Sequence, residues 1–243
     1  MNMRLFSALI WVGAALHLSM SVPVGLWAAA SGLPTQLVRE IDHDDFTPSR
    51  ERPTDAILND TLTEGNWSKW RASSSLRVVA SEDGINGVVR PVANNHPAQA
   101  SFPLDMDSSK GGLYRMSAQF DFGSTGGKGV YWAFGLARNV NNFQANGVLW
   151  AMVQPDGNWS LRQFHGEPLE SGQLTLSSGV HQYSIDLDIE RNRASFSVDG
   201  KVLARNIDIP DNADATKKWY ALVLFQWLDE RSSLGAVSVN EVR

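Results

Sequence analysis

The sequence predicts an all-β fold, a two-sheet antiparallel jelly-roll sandwich preceded by a signal peptide. Three observations carry that prediction. Several segments alternate apolar and polar residues with period two, as half-buried strands do. The connections between them carry tight-turn chemistry, Asp199-Gly200 and Pro155-Asp156-Gly157. No segment shows a long, capped helical period, so strands follow one another without the helices that an α/β fold requires. The 243 residues are 43% hydrophobic and 19% charged, enough chain and enough apolar surface for one large sandwich with a filled core.

In chain order, the first 30 residues read as a secretory signal peptide. Arg4 supplies the positive charge, a long apolar run follows, and Ala28, Ala29 and Ala30 form a small-residue cleavage site. The competing reading is an uncleaved anchor, since residues 5–30 are long enough to span a bilayer. Residues 31–243 form the single domain, with 31–43 a loosely ordered lead-in. Residues 33–71 are polar and interrupted by Pro48 and Pro53, with a first strand expected about Asp45 and Phe46.

Beyond that segment alternation dominates. In YRMSAQFDF, Tyr114, Met116, Ala118, Phe120 and Phe122 point one way, and Arg115, Ser117, Gln119 and Asp121 the other. In YSIDLDIE, Tyr183, Ile185, Leu187 and Ile189 point inward, and Ser184, Asp186, Asp188 and Glu190 outward. VYWAFGLAR and WYALVLFQW are apolar on both faces, which predicts central strands covered on each side. One short helical turn is expected at 211–217.

Composition excludes several function classes. The net charge of −5 is dispersed, with no basic cluster to meet a phosphate backbone, so nucleic acid is not the partner. Without cysteine there is no disulfide, thiolate nucleophile or thiolate metal site, and in an exported chain that absence fits a bacterial protein. The expected location is periplasmic, extracellular or at the cell surface, with no membrane insertion once the signal is cleaved. The Asn-x-Ser/Thr triplets at Asn59, Asn66 and Asn158 are then chance matches to glycosylation sequons.

The stretch HQYSIDLDIERNRASFSVDGKVLAR and the closing GAVSVNEVR resemble the strand, turn, strand pattern and the returning last strand of concanavalin-A-like and laminin-G-like jelly rolls. The resemblance spans residues 44–243 at the level of pattern. It implies two curved antiparallel sheets and a range of functions: sugar binding, glycan cleavage, protein adhesion.

Candidate sites follow from side-chain chemistry. Asp186, Asp188 and Glu190 share one strand face, as do the carboxylates of laminarinase-type retaining glycosidases, which this run resembles with Asp in place of the first Glu. The plainer reading is a solvated strand face beside Arg191 and Arg193. The five His residues have no zinc-ligand spacing. Asp42, Asp44 and Asp45 form an acidic knot that Asn240 and Glu241 would approach if the last strand returns there, and Asp45 with Asn240 suits a structural Ca²⁺. For sugar binding, Trp159 follows the Pro-Asp-Gly turn and is the expected stacking platform. Arg162, Gln163 and His165 follow on the same strand, and Trp227, Asp229 and Glu230 end another. Arg162 ranks second to Trp159, because alternation would turn it to the opposite face. Trp132, Trp150 and Trp219 sit inside apolar runs and are expected in the core. The predicted function is an exported carbohydrate-binding protein whose partner is a glycan or polysaccharide. A glycoside hydrolase or polysaccharide lyase on the same fold, and an envelope adhesion module with a protein partner, are the alternatives.

Overall fold

A computed structural model describes residues 54–80, 87–92, 97–107, 109, 111–123, 126–127, 129–138, 147–163, 167–209 and 218–242. The expected signal peptide, the lead-in, the strand about Asp45 and Phe46 and the turn at 211–217 lie outside the described residues.

The described chain begins with β1 (Thr54–Asp60), one helical turn α1 (Glu64–Trp67), β2 (Arg71–Ala72), β3 (Leu76–Ala80), β4 (Gly87–Pro91), β5 (Ala98–Leu104), β6 (Leu113–Asp121) and β7 (Tyr131–Ala137). It continues through β8 (Gly147–Val153), β9 (Asn158–Arg162), β10 (Glu170–Gln173), β11 (His181–Asp188), β12 (Arg193–Val198), β13 (Lys201–Asp208), β14 (Trp219–Gln226) and β15 (Ser233–Val242). An eight-stranded sheet has the order β13-β12-β11-β6-β15-β4-β3, with β1 added against β15. A seven-stranded sheet has the order β10-β9-β8-β7-β14-β5-β2. Every paired strand is antiparallel. The molecule is therefore the two-sheet sandwich that the alternation predicts.

The predicted strand phases hold. Tyr114, Met116, Ala118 and Phe120 of β6 and Tyr183, Ile185 and Leu187 of β11 are buried between the sheets. They meet Trp132, Phe134 and Leu136 of β7 from the opposite sheet. Aromatic rings form the centre of this core: Phe120 stacks on Trp132 at 4.5 Å, Trp132 on Phe134 at 4.6 Å, and Tyr183 meets Trp132 edge-on at 4.8 Å. The last strand does return beside the first, with Thr54 opposite Val242 and Asp60 opposite Val237.

β1 lies in the polar stretch of residues 33–71 and lacks clear alternation for a structural reason. A bulge between Ala56 and Leu58 breaks the alternation, and the last inward position is a carboxylate. Asp60 is buried and accepts hydrogen bonds from the Leu62 amide and the Trp70 indole, both at 2.7 Å. This tight turn sets Leu62 at φ 55°. The Leu62 carbonyl oxygen would lie 1.9 Å from a Cβ at position 87, so Gly87 is required there.

β7 and β14 are neighbours in the seven-stranded sheet and are covered on both faces, as expected. On the face away from the main core, Ala133, Ala137, Trp150, Leu222 and Leu224 form a second buried apolar cluster, edged by Tyr131 and Met152.

Candidate functional site

The outer face of β8, β9 and β10 carries a groove whose composition follows from strand register. Within β9 the alternation sends Trp159 and Leu161 into the core and turns Asn158, Ser160 and Arg162 outward. Antiparallel pairing then sets the neighbours: Met152 and Trp150 of β8 lie opposite Ser160 and Arg162, and Ser171 and Gln173 of β10 lie opposite Ser160 and Asn158. The result is a hollow of about 480 Å³ lined by Met152, Asn158, Ser160, Arg162, Ser171 and Gln173, among others.

The polar groups of this groove are held in place. Arg162 donates from Nε to Ser160 Oγ at 2.9 Å, and its guanidinium lies 5.8 Å from the centre of the Trp150 ring. At the turn, Asp156 accepts from the Asn158 backbone at 3.0 Å and from its side-chain amide at 2.7 Å. Gly157 adopts φ 85° in that turn, and a Cβ there would meet the Leu174 carbonyl oxygen at 1.9 Å.

Trp150 and Trp159 are both buried. Trp159, expected to be a displayed platform, borders the groove but is only 6% exposed and packs on Phe196 at 5.4 Å. Its ring also covers Gly172 on β10, where a Cβ would approach it at 3.0 Å. Trp150 is buried, as expected, in the second apolar cluster, where it lies under Arg162. Trp132 and Trp219 are core residues as expected. Arg162 shares its face with Asn158 and Ser160 and not with Trp159, as the alternation of β9 requires.

Trp227 and Asp229 sit elsewhere. They follow β14, three strand steps from β9 and so about 14 Å away across the sheet. Trp227 is 42% exposed with φ 57°. Asp229 pairs with Arg231, accepting from its backbone amide at 2.9 Å as well as from its guanidinium. The expected ligand set therefore divides into two places. Gln163 is buried, and His165 lies outside the described residues.

No family model and no curated relative matches the chain. Solved structures do. The fold is similar to the jelly-roll sandwich of solved carbohydrate recognition domains. The carbohydrate recognition domain of Emp46p, as its Y131F mutant, aligns with TM-score 0.54 at 10% identity over 76% of this chain and 94% of its own. The same domain has been solved in potassium-bound and metal-free forms. A Bacillus subtilis protein of unknown function with a galectin-like fold aligns with TM-score 0.54 at 12% identity, over 79% of this chain and all of its own. The carbohydrate esterase vb_24B_21 of the Shiga toxin-encoding bacteriophage phi24B gives TM-score 0.51 at 11% identity, over 79% of this chain and 100% of its own. At such identities the likeness concerns the fold alone.

The sandwich places Asp186 and Asp188 on its other sheet, in β11, with Glu190 just beyond it. Asp186 and Asp188 are 4% and 5% exposed, so the solvated strand face expected for them is not what forms. Asp186 lies directly opposite Arg115 of β6 and accepts from its Nε at 2.6 Å and its Nη2 at 3.0 Å. Asp188 accepts from the Arg191 backbone at 2.9 Å and from its guanidinium at 3.4 Å. Both accept from arginine side chains, and through these bonds they tie a neighbouring strand and a turn to β11. Glu190 is exposed in the following turn.

For the proposed calcium, Asn240 lies on β15 opposite Arg115 and Ala56, so the strand return was correct. Asp45 lies outside the described residues. Among the described residues no group of three or more His, Cys, Asp or Glu is arranged to hold a metal. Nor does any described helix have the length and apolarity to cross a membrane.

Sequence reasoning missed Met152, Asn158, Ser160, Ser171 and Gln173 as groove residues. The available signal was Asn158-x-Ser160-x-Arg162, a period-two polar row directly after a tight turn.

Proposed function

We propose that this chain binds a glycan, without cleaving it, in the groove on the outer face of β8, β9 and β10. The observation that supports this most directly is the row Asn158, Ser160 and Arg162. An amide, a hydroxyl and a planar guanidinium follow one another along one strand face beside the apolar side chain of Met152. Saccharides present closely spaced hydroxyls, each both donor and acceptor, around apolar C–H faces. Amide and guanidinium groups bridge neighbouring hydroxyls bidentately, and Met152 offers a surface for the C–H patch. The groove is preorganised, since the Asn158 and Arg162 side chains are each held by a neighbour before any ligand arrives. Its position on a regular strand makes the spacing of these groups rigid.

The test is a glycan array followed by titration calorimetry. Arg162→Ala should weaken binding of any glycan found by at least tenfold, the loss expected for a charge-assisted contact of about 1.5–3 kcal/mol. Its melting temperature should stay close to that of the parent. Unchanged affinity in Arg162→Ala would reject the groove as the site, and release of reducing ends from the bound glycan would reject the non-catalytic reading.

A further inference from the structure

Trp227 occupies a position that folding alone does not favour. It is large and apolar yet 42% exposed, one of three large hydrophobic residues so exposed among the described residues. Its backbone is left-handed at φ 57°, a conformation that bulky side chains rarely adopt. The reason lies in the strand that precedes it. Leu224 faces the outer apolar cluster, Phe225 the core and Gln226 outward, so continued alternation would send Trp227 into the core. The left-handed residue interrupts the alternation. Leu228 takes the inward place at 1% exposure, and the indole is turned out.

The segment that does this is firmly fixed. Ser232 is fully buried and donates from its backbone to the Asp229 carbonyl at 3.0 Å and from its hydroxyl at 2.7 Å. Gly123 packs so closely that a Cβ there would lie 2.3 Å from the Arg231 carbonyl oxygen. The displayed indole therefore stands on a rigid base.

We infer that Trp227 is a second contact point for the same ligand, an aromatic platform that stacks on a sugar ring of an oligosaccharide whose other end lies in the β8–β10 groove. This rests on the glycan reading of the groove. Asn158 begins β9 and Trp227 follows the end of β14, so both lie at the same end of the seven-stranded sheet. Three strand steps of about 4.8 Å separate them, a span that a disaccharide does not cover and a chain of about four or more pyranose rings does. The ligand class is accordingly an oligosaccharide or polysaccharide chain, with the groove reading hydroxyls and the indole taking a C–H face.

The experiment uses paired di- and hexasaccharides of β-1,4-glucan, β-1,3-glucan, α-1,4-glucan and α-1,6-mannan, titrated into the parent, Arg162→Ala, Trp227→Ala and Trp227→Gly. Trp227→Ala should lower hexasaccharide affinity by about tenfold and leave disaccharide affinity within about twofold. Arg162→Ala should weaken both lengths. Trp227→Gly should melt within about 2 °C of the parent while binding as poorly as Trp227→Ala, because glycine relieves the positive φ. Equal hexasaccharide affinity in the parent and Trp227→Ala overturns the platform and leaves the groove standing. A fall of about 5 °C or more in Trp227→Gly overturns it too, since the indole would then be serving the fold. Failure of every probe to bind the parent overturns the glycan reading and the platform with it.

Discussion

Replacing Asp186 by Ala would test whether the carboxylate row of β11 is structural. The Asp186 side chain is 5% exposed and that of Arg115 is 22% exposed. Removing the carboxylate leaves a guanidinium that lost most of its hydration on folding and has no bidentate acceptor in return. Breaking a buried pair by deleting one partner costs about 3–5 kcal/mol. Arg115 keeps some access to water, so screening lowers the expectation to about 2–3 kcal/mol. For a domain of this size that corresponds to a fall of about 4–12 °C in melting temperature. Replacing both partners, Arg115→Met with Asp186→Leu, should recover most of the loss, because two apolar side chains leave no stranded charge. Urea unfolding followed by tryptophan fluorescence reads all three proteins on one scale. A cost below about 0.5 kcal/mol for Asp186→Ala would refute the reasoning and return Asp186 to a solvated face. Glycan affinity should be unchanged throughout, since the pair lies on the sheet opposite the groove.

Two further outcomes follow from the same structure. Phe120→Ala should destabilise by about 3–5 kcal/mol, since its ring stacks at the centre of the core, while Gln119→Ala on the exposed face should cost less than about 0.5 kcal/mol; equal unfolding midpoints would contradict the strand phase. Stability should fall as pH rises above about 6.5, because burial of His181, which lowers its pKa, is outweighed by the Ser177 carbonyl at 3.0 Å from Nε2 and the Asp199 carboxylate at 2.6 Å from Nδ1, with Asp121 also facing it, and the net shift is upward. The stabilisation is complete below the unfolded pKa and is lost as pH passes the folded one, so melting temperature against pH should flatten in His181→Gln, and a parallel profile for the two would remove His181 as the cause.

The architecture was readable because period two reports which residues share a face, and one face of most strands here meets the core. Phe120 and Tyr183 illustrate this: each sits in a strict alternation and each is fully buried. The same signal does not say which face of a doubly covered sheet is the inner one. In β8 the run is apolar throughout, so the sequence shows Trp150 as a core residue but not that its cluster lies on the outer face beneath Arg162. In β9 the turn chemistry located the strand start and alternation alone puts Trp159 and Arg162 on opposite faces, but only pairing showed which residues of β8 flank Arg162. Charge misled in the other direction. Asp186 read as solvent-facing because a lone strand shows no partner, and the partner, Arg115, comes from a strand 71 positions earlier in the chain.

The two candidate contact points also differ in how their exposure arises. Arg162 faces outward because alternation puts it there, so its side chain is available for binding without any departure from regular β geometry. Trp227 faces outward only because one residue leaves the β region and Leu228 replaces it in the core. A left-handed tryptophan costs about 1–3 kcal/mol relative to an unstrained arrangement, a sizeable fraction of the net stability of a domain. Drift among sequences that only had to fold would remove that cost with one substitution to Gly or Asn, both at ease in the left-handed region. The position therefore separates folding from function: substitutions there that leave stability intact and weaken binding to long glycans about tenfold are what an exposed, strained tryptophan on a rigid base implies.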